Sequence, residues 1–205
     1  MQRIGLMGGS FNPIHCGHIN LARAALESGL ADRVLFLPTG NPPHKRSGLA
    51  DKLDRLAMTE LAVEGEMGMG VCREEVDREG VIYTVDTLTI LREKMPDCRL
   101  LYLIGADTLC TLHTWRRPED VVRLCTLLVA MRPGEDRTAV EESAKVWRER
   151  GAQIEYLPAE LMDISSTEIR MRVQAGRALD GLVPPKVEAY IRSHGLYESD
   201  GGAAR

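Results

Sequence analysis

Short apolar runs alternate with amphipathic stretches along most of this chain. "RIGLMG" (3–8) and "RVLFLPTG" (33–40) read as short buried strands, the second ended by Pro38 and Gly40. Between them, residues 15–29 carry Ile19, Ala22, Leu26 and Gly29 at helical spacing on one face. A loop, "NPPHKRSG" (41–48), precedes a helix over about 50–64. "MGVCREEVD" (69–77) has the mixed character of a marginal strand, and "TVDTLTILREKM" (84–95) predicts a helix that starts near Thr84. "RLLYLIGAD" (99–107) is the clearest buried strand, "TLLVAMRPG" (126–134) is another, and "AQIEYLPAE" (152–160) is weaker. "STEIRMRVQAG" (166–176) reads as a helix with a capping-box-like start at Ser166 and Thr167 and a stop at Gly176. "PPKVEAYIRSHGLY" (184–197) is a helix headed by prolines, and the tail over 198–205 is expected to be disordered.

Strands alternating with helices predict an α/β fold: a doubly wound parallel sheet with helices on both faces. No repeat or low-complexity linker divides the chain. Residues 1–197 therefore read as one domain, with about 164–197 as a small C-terminal helical subdomain. In such sheets ligands bind beyond the carboxyl ends of the strands, at the switch point.

Composition narrows the class. The 205 residues are 44% hydrophobic and 27% charged, the balance of one globular domain. A net charge of -4 gives no general attraction for nucleic acid, so any anion site must be local. Five cysteines (Cys16, Cys72, Cys98, Cys110 and Cys125) form no C-x-x-C pair. Their odd number points to reduced thiols and a cytoplasmic location. The first residues lack the apolar core of a signal peptide, and no stretch reaches the roughly 20 apolar residues of a membrane span. The oligomeric state stays open, a homo-oligomer included.

The stretch "GGSFNPIHCGH" (8–18) follows the first strand, where a switch-point site should lie. Gly8 and Gly9 let the backbone approach a ligand. His15 and His18 share a face of the first helical turn, whose N–H groups and dipole already favour an anion. Gly17 between them leaves room for a phosphate or a flat ring. Neither a G-x-G-x-x-G nor a G-x-x-x-x-G-K-[ST] motif is present. A second anion cradle is offered by "ISSTEIR" (164–170), where Ser165, Ser166 and Thr167 open a helix and Arg170 adds a guanidinium on its face.

Together, "GGSFNPIHCGH" and "ISSTEIR" resemble the H-x-G-H / I-S-S-T-x-x-R nucleotidyltransferase superfamily, which implies a Rossmann-like sheet. "PTGNPPHK" (38–45), "YTVDTL" (83–88), "LIGADTL" (103–109), Trp115 and "VAMRPG" (129–134) narrow the resemblance to the bacterial nicotinate-nucleotide adenylyltransferases. The likeness covers roughly residues 3 to 197. It departs from a common form of the pattern at Asn12, where Asp is usual.

The resemblance implies transfer of AMP from ATP to nicotinate mononucleotide, giving nicotinate adenine dinucleotide and pyrophosphate in NAD biosynthesis. It makes His15, His18, Lys45 and Arg170 the expected catalytic groups. ATP would meet Gly8, Gly9, Ser10, Phe11, the two histidines, Gly105, Asp107 and Ile164 with the three hydroxyl residues that follow. The acceptor would meet Lys45, Tyr83, Thr84, Trp115 and Arg132; Lys45 is also the expected phosphate ligand of its loop, with His44 beside it a weaker candidate for that role. Trp147 reads as structural. Magnesium is expected, held mainly by the ATP phosphates rather than by protein ligands. Related activities with nicotinamide mononucleotide or phosphopantetheine, and a silent nucleotide-binding regulator, are the alternatives. Cys16 lies inside the signature and is a candidate reactive thiol.

Overall fold

The computed structural model describes residues 1–41, 48–131, 134, 136–160 and 162–198. Six strands form one sheet: β1 (Gln2–Gly9), β2 (Arg33–Pro38), β3 (Met69–Val71), β4 (Cys98–Gly105), β5 (Thr126–Met131) and β6 (Gln153–Glu160). All neighbours pair in parallel, in the order β3-β2-β1-β4-β5-β6. The chain starts in the middle, winds to one edge, returns at β4 and winds to the other. The windings diverge between β1 and β4, so the switch point lies at their carboxyl ends.

Among the described residues, eight α-helices connect and cover the sheet: α1 (Cys16–Glu27), α2 (Lys52–Val63), α3 (Thr84–Lys94), α4 (Ala106–Thr111), α5 (Pro118–Leu124), α6 (Arg137–Glu149), α7 (Ser166–Gln174) and α8 (Pro185–Ser193). Each face has its own core. Met7, Leu101 and Leu103 pack with residues of α1, α2, α7 and α8, whereas Leu6, Leu100 and Ile104 pack with α3, α5 and α6. Successive β4 side chains thus enter opposite cores, which explains why the strand reads as one unbroken apolar run. Ile169, Val173, Val187 and Ile191, from the segment after β6, join the same cluster as α1 and α2.

Several expected boundaries shift. The marginal strand over 69–77 pairs only at Met69–Val71, and the chain then turns to bury Glu75 and Val76. The region between β4 and β5 holds α4, a 3-10 turn at Leu112–Thr114, and α5 with Pro118 at its head. Between β5 and β6 lies α6, whose buried face is only Val140, Ala144 and Trp147. The sequence reading allowed a helix after Asp107, where α4 lies, but placed none at α5 or α6; it held Trp147 to be structural, which matches its burial. The helix after Ile164 is capped by Ser165 rather than Ser166: the Ser165 side chain accepts the Glu168 N–H at 3.1 Å.

Candidate active site

A cleft of about 1100 Å³ opens at the carboxyl ends of β1 and β4. Its β1 wall is made by Gly8 and Gly9. A Cβ on Gly8 would collide with the Tyr102 hydroxyl, so glycine is needed there for close packing as well as for ligand approach.

At the start of α1, His15 is the N-cap, with extended backbone at φ -145°. Its N–H donates to Nδ1 of His18 at 3.2 Å, and the two rings stack with centroids 3.6 Å apart. A Cβ on Gly17 would sit 3.1 Å from His15 Nδ1, so a larger residue there would press on the stacked pair. Burial first, and His15 second, hold the pKa of His18 well below the ordinary histidine range. The imidazole is therefore neutral at pH 7. With Nδ1 accepting, its proton sits on Nε2.

The start of α7 is stitched to the loop after β1. Ser166 Oγ donates to the Pro13 carbonyl at 2.9 Å, and Arg170 Nη1 donates to the Asn12 carbonyl at 2.9 Å. Ile164, Ser165 and Ser166 line the cleft. Thr167 and Arg170 do not: Arg170 Nη2 donates to Thr167 Oγ1 at 3.3 Å, with the guanidinium turned to the Asn12 turn. Ser10 and Phe11 also lie off the cleft lining. Phe11 sends a buried ring edge-on against His18, 5.0 Å between centroids, and so supports the histidine from behind.

Asn12 joins three segments. Its Oδ1 accepts the Ala50 N–H at 3.0 Å and the Tyr197 O–H at 2.8 Å, and its Nδ2 donates to the Gly48 carbonyl at 3.0 Å. The last bond needs an amide, which an Asp at this position would not supply.

Across the cleft, on the other face of the sheet, α3 begins at Tyr83 with no side-chain cap. Tyr83, Thr84 and a partly buried Trp115 line this side. Arg116 lies over the Tyr83 ring, 4.5 Å from its centroid. Gly105 and an exposed Asp107 close the β4 end. Asp107 is in the first turn of α4 and accepts the Thr108 N–H at 2.9 Å, so it shares in capping while facing the cleft. His44, Lys45 and Arg132 lie outside the described residues.

Four further residues shape the site without having been read from the sequence. Glu75 is buried in the cleft wall, accepts the Thr87 hydroxyl at 2.9 Å, and has its pKa raised by burial. Thr39 and Tyr102 also line the cleft. Behind it, the buried Arg55 guanidinium donates to three carbonyls: Ser10 at 2.7 Å, Gly40 at 3.0 Å and Ala50 at 3.1 Å. Arg55 carried a signal, being a charge in register with Thr59 and Ala62 on the buried face of α2. The others carried none, because distant strands bring them to the cleft.

A doubly wound sheet whose switch point has imidazoles and a helix N-terminus on one side and aromatic side chains on the other is the frame of a nucleotide-binding α/β enzyme. Comparison with known proteins agrees. The cytidylyltransferase-like family model matches residues 6–172. A protein of Neisseria meningitidis serogroup B named "Probable nicotinate-nucleotide adenylyltransferase" is 41% identical over 201 residues, 97% of this chain and all of that protein. One of the same name from Bordetella avium is 42% identical over 197 residues, 96% of this chain and 98% of that protein. Among solved structures, Plasmodium falciparum nicotinic acid mononucleotide adenylyltransferase complexed with NaAD superposes with a TM-score of 0.79 at 16% identity, covering 96% of this chain and 98% of that one. The chain belongs to the cytidylyltransferase-like family of nucleotidyltransferases and, within it, to the nicotinate-nucleotide adenylyltransferases.

Proposed function

We propose that this chain transfers the adenylyl group of ATP to nicotinate mononucleotide, forming nicotinate adenine dinucleotide and pyrophosphate. The observation that carries the reading is the meeting of two donor sets in one cleft from opposite faces of the sheet. The His15–His18 pair and the start of α7 suit a polyphosphate, and the start of α3 with Trp115 suits an anionic flat ring.

The acceptor phosphate is already an anion at neutral pH and needs no general base. Its oxygen attacks the α-phosphorus in line, a new P–O bond forms, and the bond to pyrophosphate breaks. The protein's part is positioning and charge stabilisation. His18 offers its Nε2–H to an α-phosphate oxygen as charge builds, with His15 beside it on the triphosphate. The N–H groups of Ser165, Ser166 and Thr167 hold the leaving phosphates with the help of the helix dipole. Lys45 and Arg170 are assigned to the same phosphates, and Arg170 reaches them by turning its guanidinium away from the Asn12 carbonyl. Gly8, Gly9, Gly105 and Asp107 bound the rest of the nucleotide, and Ser10 and Phe11 support it from outside the cleft. On the acceptor side, the first N–H groups of α3, Thr84 and Tyr83 receive the pyridine carboxylate, Trp115 stacks on the ring, and Arg132 is assigned to the acceptor phosphate.

Magnesium fits as an ion carried by the triphosphate. Among the described residues no three His, Cys, Asp or Glu side chains gather as a metal site. Asp107 is an exposed carboxylate on the cleft wall, a single ligand of the kind magnesium takes beside phosphate oxygens. When bound, the ion neutralises phosphate charge. No helix among the described residues is long and apolar enough to cross a membrane. All five cysteines are free thiols.

The test is pyrophosphate release with nicotinate mononucleotide and either ATP or CTP. Release with ATP and little with CTP is expected. A preference for CTP, or no release with either, would contradict the assignment.

A further inference from the structure

Tyr102 lies on β4 and enters the core on the α3 side of the sheet. Tyr102 is buried and belongs to the cleft wall, beside Gly8 and Thr84, which line the same cleft. Three neighbours fix where that hydroxyl stands. Gly8, at the end of β1, is so close that a Cβ would collide with the oxygen. The Thr84 side chain, the first of α3, is a hydrogen-bonding neighbour. The Trp115 ring meets the Tyr102 ring edge-on, 5.9 Å between centroids. Burial raises the phenol pKa, so the hydroxyl keeps its proton throughout the working pH range.

The same place faces the open end of a helix. Among the described residues no side chain caps α3 from Tyr83, an 11-residue helix whose first N–H groups have no partner within the helix. That end favours a bound anion. Tyr102 puts an O–H donor beside it, on a rigid strand and backed by a glycine.

We infer that Tyr102 is a specificity-determining residue of the acceptor side, its hydroxyl donating to the carboxylate of the mononucleotide alongside the first N–H groups of α3. The inference rests on the acceptor assigned under Proposed function. A hydroxyl gives a carboxylate a charge-assisted bond, roughly twice as strong as the neutral bond it gives an amide. Tyr102 therefore contributes more to holding the acid than the amide.

Tyr102→Phe tests this, because it removes only the hydroxyl and keeps the ring with its contact to Trp115. The KM values for ATP, nicotinate mononucleotide and nicotinamide mononucleotide are measured for both proteins, with melting temperature as the check on folding. Direct titration with nicotinate mononucleotide alone gives a second readout that does not depend on turnover. The expected result is a KM and a dissociation constant for the acid raised about tenfold or more, a rise for the amide of about threefold or less, and a KM for ATP within about twofold. Equal changes for acid and amide, or no change in either, would overturn the role of Tyr102. A wild-type protein that releases no pyrophosphate with the acid would instead overturn the acceptor assignment, a different result from an active wild type matched by its variant.

Discussion

Nδ1 of His18 accepts the backbone N–H of His15 at 3.2 Å, so one nitrogen of the second histidine is committed to the helix start and the other is left as a fixed donor. Phe11 behind the ring and the stack with His15 hold that donor's direction. A group positioned this way acts most strongly where charge develops. His18→Ala is expected to lower kcat by about 100- to 1000-fold with a much smaller rise in the KM for ATP. Steady-state kinetics decides this, and a variant with normal kcat would refute the assignment.

The same burial has a consequence for stability. The pKa of His18 is depressed in the folded protein, while in the unfolded chain it returns to about 6.5. Below that value the unfolded state binds the proton that the folded state refuses. Stability is thus unaffected by His18 above about pH 7 and falls as pH drops below about 6.5, levelling off only below the folded pKa. Denaturant unfolding at pH 7.5 and 5.5 should show a larger acid loss for the wild type than for His18→Gln. Equal losses would count against a buried neutral His18.

Arg55 is a buried cation whose guanidinium donates three hydrogen bonds, all to backbone carbonyls. Those carbonyls belong to the loop after β1, the turn after β2 and the lead into α2, so one side chain fixes the approach to the cleft from three sides. Replacing it with Met removes a desolvated charge, which helps, but leaves Ser10, Gly40 and Ala50 without their donor, which costs more. Arg55→Met is expected to lose about 3 kcal/mol, seen as a melting temperature lower by roughly 6–12 °C. The KM for ATP should also rise as the loop after β1 loosens. A variant as stable as the wild type would show that the carbonyls find other partners.

How much of this was legible in the sequence depended on how local each signal was. β1, β2, β4 and β5 are covered on both faces and therefore read as apolar runs. In α6 only Val140, Ala144 and Trp147 are buried, too sparse a pattern among charged residues to stand out. The histidine pair was legible because donors, glycine and helix start are contiguous. Ser165 capped the helix one residue before the expected start, since Ser165, Ser166 and Thr167 are equivalent as cap chemistry. Arg170 shares the helix with the cleft-lining Ser166, yet its guanidinium is drawn to the Asn12 carbonyl, a contact across the fold that no spacing reveals. Glu75, in the turn after β3, and Tyr102, on β4, are far apart in the chain, so only the sheet brings them to one site.

The most direct test of the central claim compares the two mononucleotides as acceptors. Purified protein is given ATP and magnesium with either nicotinate or nicotinamide mononucleotide, and kcat/KM is read from pyrophosphate release. The expected result is efficient turnover with the acid and at least about a tenfold lower value with the amide, as a helix N-terminus that favours a carboxylate requires. Equal values for the two, or a preference for the amide, would contradict the acceptor pocket described here at Tyr83, Thr84 and Trp115.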